Sequence, residues 1–274
     1  MIEINNVNYK YKNGKVVIKN LNLQINDGEF VAIIGRNGSG KSTLSRLISG
    51  LEKPTEGNIN VNGIDTKNKK MTLELRKNVG IVFQNPENQI IFNRVYDDII
   101  FGMKNIGINS NEINEKVNEA LQKVNMSEYI YHDTYELSLG QKQRIAIAGV
   151  LALDTKIIIF DEPTTMLDPA GKKAIYEIVN NLKKQGYTII YITNAIDEIL
   201  LADRIIVLKD GCFQKEFLKK DIMQNIETLK LLDIELPVII QITEKLKEKN
   251  ININLSDFTI DELVKKILEI YMKA

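Results

Sequence analysis

Apolar and polar residues follow two different rhythms along this chain. At the start, IEINNVNYKY and VVIKNLNLQI alternate with a period of two, the pattern of antiparallel strands with one buried face. Residues 29–34 (EFVAII) form instead a continuous apolar run between Gly28 and Gly35. Runs 156–160 (KIIIF), 188–193 (TIIYIT) and 204–208 (RIIVL) have the same form and predict strands buried on both faces. Helical periodicity lies between them, clearest over 111–125, where Ile113, Val117, Ala120, Leu121 and Val124 share a face. A shorter helix is predicted over 43–49. Alternating strands and helices predict an α/β fold, a mostly parallel sheet covered by helices, with an antiparallel β layer at the start.

After Asp210-Gly211 that rhythm stops. From Asp221 onward the chain is rich in Lys and Leu and helical in period, with a break at Pro237. A last helix is predicted from Thr259, with Glu262 three residues on and Leu263, Ile267 and Leu268 as its apolar positions. Residues 1–220 are therefore read as the main domain and 221–274 as a small helical extension with a dimerising or regulatory role.

Composition narrows the classes. Lys plus Arg and Asp plus Glu both number 36, which argues against a nucleic-acid-coating surface. The single cysteine, Cys212, permits no internal disulfide and is expected near a strand end. The opening residues lack the apolar stretch of a secretory signal. The longest apolar runs, 157–160 and 145–153, fall short of the roughly 18 residues a membrane helix needs, so any membrane role is expected through a partner.

Chemistry enters at Gly35-Arg36-Asn37-Gly38-Ser39-Gly40-Lys41-Ser42, which fits G-x-x-x-x-G-K-S/T, with Thr43 next. A strand precedes it and a helix follows, as a phosphate-binding loop requires. Glycines let successive N–H groups turn inward onto phosphate oxygens, and the helix N-terminus adds positive field. Lys41 is expected on the β- and γ-phosphates and the Ser42 hydroxyl on Mg²⁺. Asp161 and Glu162 follow four apolar residues, which places the carboxylates at the strand's C-terminal edge. Asp161 is expected to hold Mg²⁺ and Glu162 to act as general base on the attacking water.

With these residues the chain resembles the ATP-binding-cassette (ABC) family, a P-loop NTPase fold with a helical signature subdomain, over about residues 1–220. Leu137-Ser138-Leu139-Gly140-Gln141 is similar to the family's signature, and Ser138 with Gln141 forms a capping box. The resemblance implies that Ser138, Gly140 and Gln141 face the nucleotide of an opposite subunit. It also implies that Gln84 links Mg²⁺ and water to a transmembrane partner, that Met166-Leu167-Asp168-Pro169 crosses the dimer interface, and that Tyr11 stacks on adenine. A packing role for Tyr11 beside Tyr9 stays open. Residues 83–102, 141–152, 164–169 and 231–251 look more narrowly like the first ATPase type of energy-coupling factor (ECF) transporters. That implies an ATP-hydrolysing motor of a vitamin or metal-ion importer on the cytoplasmic face of the membrane. Its partners would be a second ATPase, a transmembrane coupling protein and a substrate-binding membrane subunit, with no nucleic acid.

Two positions depart from the family. Asn194 stands where a switch histidine is expected; it can hydrogen-bond a γ-phosphate but carries no charge, so this chain's own site is expected to turn over slowly. Leu139 replaces the signature's first glycine and is expected to crowd the partner's nucleotide. His132, the only histidine, is read as an ordinary surface residue. Glu87, Asp97 and Asp98 are candidates for pairing with arginines of a membrane partner. A soluble ABC protein of ribosomes or DNA, or a weakly catalytic nucleotide-dependent regulator, are the alternative readings.

Overall fold

The computed structural model describes residues 1–232, 234–256 and 258–272. The chain opens with β1 (Ile2–Lys10) and β2 (Val16–Ile25), an antiparallel pair in which Ile2 faces Ile25 and Ile4 faces Leu23. β3 (Phe30–Ile34) leads through the glycine-rich loop into α1 (Lys41–Ile48). β4 (Glu56–Val61) and β5 (Ile64–Asp65) return to the first layer and complete a sheet ordered β2-β1-β4-β5. Next come α2 (Thr72–Asn78) and β6 (Val79–Val82), then three mutually packed helices, α3 (Val95–Asn105), α4 (Ser110–Lys123) and α5 (Leu139–Leu151). β7 (Ile157–Asp161), α6 (Pro169–Lys184), β8 (Thr188–Ile192), β9 (Arg204–Lys209) and β10 (Cys212–Leu218) complete the cassette. The second sheet runs β10-β9-β3-β8-β7-β6, parallel throughout except for edge strand β10.

The continuous apolar strands are explained by two cores, one on each face of this sheet. Phe30, Ala32 and Ile34 of β3, with Ile158 and Phe160 of β7, face α3–α6. Val31 and Ile33, with Ile157 and Ile159, face α1 and the antiparallel sheet. A strand covered on both sides needs apolar residues at every position. β1 and β2 are covered on one face only, hence their alternation.

In the second sheet, two strands escape the apolar-run reading. β6 has only four residues, and β10 is a mostly exposed edge whose one buried hydrophobic residue is Phe217. The β9–β10 turn is nevertheless announced by Asp210-Gly211, both with positive φ (52° and 80°), the conformation that tight hairpins demand. Cys212, half-buried, opens β10.

Beyond residue 218 the chain is helical as expected, with α7 (Ile226–Leu231), α8 (Val238–Glu248) starting just after Pro237, and α9 (Ile260–Tyr271). Thr259 accepts the Glu262 N–H at 3.2 Å, the predicted start. Leu229, Leu236, Ile240 and Phe258 enter the same apolar cluster as α3–α6, so extension and cassette share a core. On α9 the apolar positions behave differently from expectation. Leu263 is buried, but Ile267 and Leu268 are exposed, because nothing among the described residues covers the outer face of that helix.

Candidate active site

The loop after β3 is shaped by close approach. A Cβ on Gly35 would lie 2.1 Å from the Leu208 carbonyl oxygen, and one on Gly40, at φ 101°, would lie 2.7 Å from Ile18 Cδ1. Only glycine fits either position. α1 begins at Gly40 with no side-chain cap and no acid in its first turn, which leaves its leading N–H groups for an anion. Lys41 is buried, its Nζ donating to the carbonyls of Gly35 (2.7 Å) and Arg36 (3.2 Å). Burial pushes the Lys41 pKa down, while Glu162 and Asp161 oppose that shift. Ser39 Oγ is buried without a hydrogen-bond partner, an orphaned group at the base of the loop.

Asp161 ends β7 directly beside α1. Ser42 Oγ donates to Asp161 Oδ1 at 2.9 Å, and Ser45 Oγ lies 3.0 Å from Oδ2. Glu162 takes φ 52°, an uncommon conformation for a non-glycine residue, and its N–H donates to Ile192 O at 2.9 Å. Burial raises the Glu162 pKa and Lys41 draws it back down. The Asn194 amide donates to Glu162 Oε1 at 2.5 Å and to Asn37 Oδ1 at 2.8 Å, joining the ends of β7 and β8 to the glycine-rich loop.

Tyr11, Asn37, Gly38, Gly40, Lys41, Ser42, Thr43, Gln84 and Glu162 line one cleft of about 440 Å³. Gly35, Arg36 and Asn194 line an adjoining cleft, which shares Asn37 and reaches Ile234 and Glu235 of the extension. Tyr11 both packs against Tyr9 and borders the cleft. Its hydroxyl is 2.9 Å from Thr43 Oγ1, and its ring stands edge-on to Tyr9 at 4.9 Å. Ser138, Gly140 and Gln141 line neither cleft. Their capping box is formed, with Ser138 N–H to Gln141 Oε1 at 2.8 Å and Gln141 N–H to Ser138 Oγ at 3.3 Å. A Cβ on Gly140 would sit 3.6 Å from Gly171 Cα, so the signature abuts the start of α6.

Other positions change the sequence reading. Leu139 is half-buried, with part of its side chain packed against the core. Asp98 turns inward, accepting the Ile91 and Phe92 N–H groups at 2.7 and 3.1 Å, because α3 begins just there and its leading loop needs acceptors. Glu87 pairs with Lys142 at 2.8 Å. Of the three acids, Asp97 keeps an exposed side chain with no pairing among the described residues. His132 is exposed, its ring against Tyr129. Missed by motif reading were Ser45, Glu198, Gln89 and Gln143. Fully buried Gln143 donates to Phe83 O (3.0 Å) and Gln89 accepts the Phe83 N–H (3.1 Å), which fixes the residue before Gln84. The QKQR run following the signature was the available signal for Gln143.

A phosphate cradle on a parallel sheet, an acid pair at the adjacent strand end and a capped signature helix define an ATP-hydrolysing cassette. The profile of the ABC transporter family matches residues 18–165. The energy-coupling factor transporter ATP-binding protein EcfA1 of Clostridium novyi is 43% identical over 275 residues, 98% of each chain. That of Ligilactobacillus salivarius is 44% identical over 266 residues, 96% of this chain and 94% of the other. Among solved structures, cbiO1 from Clostridium perfringens, part of the ABC transporter complex cbiONQ, superposes with a TM-score of 0.75 at 36% identity. It covers 89% of this chain and 98% of that one. The ATP-binding cassette MJ0796, in a dimeric post-hydrolysis state with ADP and Pi, gives 0.72 at 33% identity, covering 80% and 99%. The chain belongs to the ABC transporter family and, within it, to the ATP-binding subunits of energy-coupling factor transporters. It is an ATPase coupled to transport.

Proposed function

We propose that this chain pairs with a second, non-identical ATPase on the cytoplasmic face of the membrane. The pair would drive a transmembrane coupling protein and its substrate-binding subunit in uptake of a vitamin or metal ion. The observation that carries the catalytic reading is the unbroken run of contacts Ser42–Asp161 and Glu162–Asn194–Asn37 around one phosphate loop.

Within that reading each side chain has one task. The loop N–H groups and Lys41 bind the triphosphate, with Ser39 Oγ free to add a donor. The Ser42 hydroxyl and Asp161 carboxylate, already 2.9 Å apart, form an all-oxygen donor set suited to Mg²⁺, with Gln84 at the cleft rim. The bound cation supplies charge neutralisation at the phosphates. Glu162 accepts the proton of the attacking water. Tyr11 supports the base, and Thr43 adds its N–H at the first helical turn. Ser138, Gly140 and Gln141 serve the partner's nucleotide, in keeping with their absence from the cleft lining.

The two departures favour a mixed dimer. Asn194 affects the site built on this chain's phosphate loop, whereas Leu139 affects the site it helps to close on the partner. A homodimer would carry both in each site. The extension, 221–274, is read as a dimerising or regulatory element. The Val238 N–H, at the start of α8, donates to Asp197 Oδ1 at 2.9 Å, three residues from Asn194. The test is purification in detergent from cells that produce this chain with its neighbours in the genome. Recovery of one membrane coupling protein and a different ATPase supports the reading; recovery of a homodimer alone contradicts it.

A further inference from the structure

Glu198 is buried (3% exposed), and among the described residues no lysine or arginine pairs with it. A carboxylate in that setting is costly unless hydroxyl or amide donors surround it. Three do. Oε1 accepts from the Thr164 hydroxyl and from Tyr176 OH (2.7 Å), and Oε2 accepts from the Thr193 hydroxyl. Burial and then Glu198 itself hold the Tyr176 hydroxyl far above its ordinary pKa, so it stays a donor.

The three donors come from three functional segments. Thr164 is two residues past Glu162, Thr193 immediately precedes Asn194, and Tyr176 lies on α6 behind the 166–169 interface loop. The loops of Glu162 and Asn194 already meet through the Glu162 N–H to Ile192 O contact and through the Asn194 amide. Glu198 joins the same two loops a further time, through Thr164 and Thr193. Thr193 Oγ1 also accepts the Ala195 N–H at 2.9 Å, so the hydroxyl that reaches Glu198 shapes the turn carrying Asn194.

We propose that Glu198 is a positioning residue for ATP hydrolysis, a buried carboxylate that fixes the spacing of the Thr164 and Thr193 loops so that Asn194 holds the Glu162 carboxylate. The inference rests on the reading of Glu162 as base and Asn194 as its orienting partner. Glu198 lines neither cleft.

The experiment uses the full chain assembled with its ATPase and membrane partners, in variants Glu198→Gln, Thr193→Val and Thr193→Ser, each alone, and Glu198→Gln combined with Asn194→Ala. Loss of positioning is expected to lower kcat about 10- to 100-fold, with KM for ATP changed less than about 2-fold. Thr193→Val should share that loss and Thr193→Ser, which keeps the hydroxyl, should recover most of it. In the double variant Glu198→Gln should add little to the loss already caused by Asn194→Ala. Parent-like kcat in Glu198→Gln, equal rates in the two Thr193 variants, or fully additive losses would each overturn the proposal. If Glu198→Gln fails to fold, the two Thr193 variants decide. Parent activity indifferent to Lys41→Ala would instead indict the ATPase reading, a separate outcome.

Discussion

Replacing Asn194 with histidine should raise the rate of this chain's own site, and the structure sets the size of the gain. The Asn194 amide has two N–H donors, and both are committed, one to Asn37 and one to Glu162. Contact with a γ-phosphate oxygen would require releasing one of them. A neutral hydrogen bond is worth about 1 kcal/mol net and one to a charged group about 1.5–3 kcal/mol, so the exchange yields roughly 0.5–2 kcal/mol. A well-placed contact made only in the transition state contributes about 2.7–4 kcal/mol. The difference, about 0.7–3.5 kcal/mol, corresponds to a roughly 3- to 400-fold gain in kcat. Single-turnover hydrolysis in the assembled complex, with the partner's own site disabled, isolates the effect. Because charge would be the source, the gain should be largest below the ordinary imidazole pKa of about 6.5 and fade as pH rises through it. A variant no faster than the parent, or one whose advantage grows with pH, refutes the reasoning.

Gly40→Ala would place a Cβ 2.7 Å from Ile18 Cδ1 at a left-handed φ, displacing the loop; ATP retention in filter binding should fall at least about 10-fold, against a parent-like result if the loop tolerates the atom. Leu139→Gly removes a half-buried side chain from the core and adds a flexible residue to the first turn of α5. It should cost about 2 kcal/mol, lowering Tm by about 4–8 °C in thermal unfolding. Nucleotide-driven dimerisation should also tighten if the leucine crowds the partner's nucleotide; unchanged Tm and unchanged dimer affinity would contradict both effects.

The cassette was legible where one sequence pattern had one physical cause. Runs such as 157–160 are apolar at every position because alternate side chains serve two separate cores. β10 was hidden because an exposed edge strand needs little apolar content, and α9 misled because its periodicity is real while none of the described residues covers its outer face. In the site, the phosphate loop and acid pair were readable as contiguous motifs. Ser45 and Glu198 were not. Ser45 acts on a carboxylate 116 positions away, and Glu198 joins loops that meet only in the folded sheet.

The loop at 35–42 is the proposed seat of a magnesium-bound triphosphate. Its most direct test is equilibrium retention of labelled ATP by the purified full chain, with and without Mg²⁺, beside Lys41→Ala. Retention that needs the cation and drops at least about 10-fold in the variant is the predicted result. Retention equal in both proteins, or none in the parent, would contradict it.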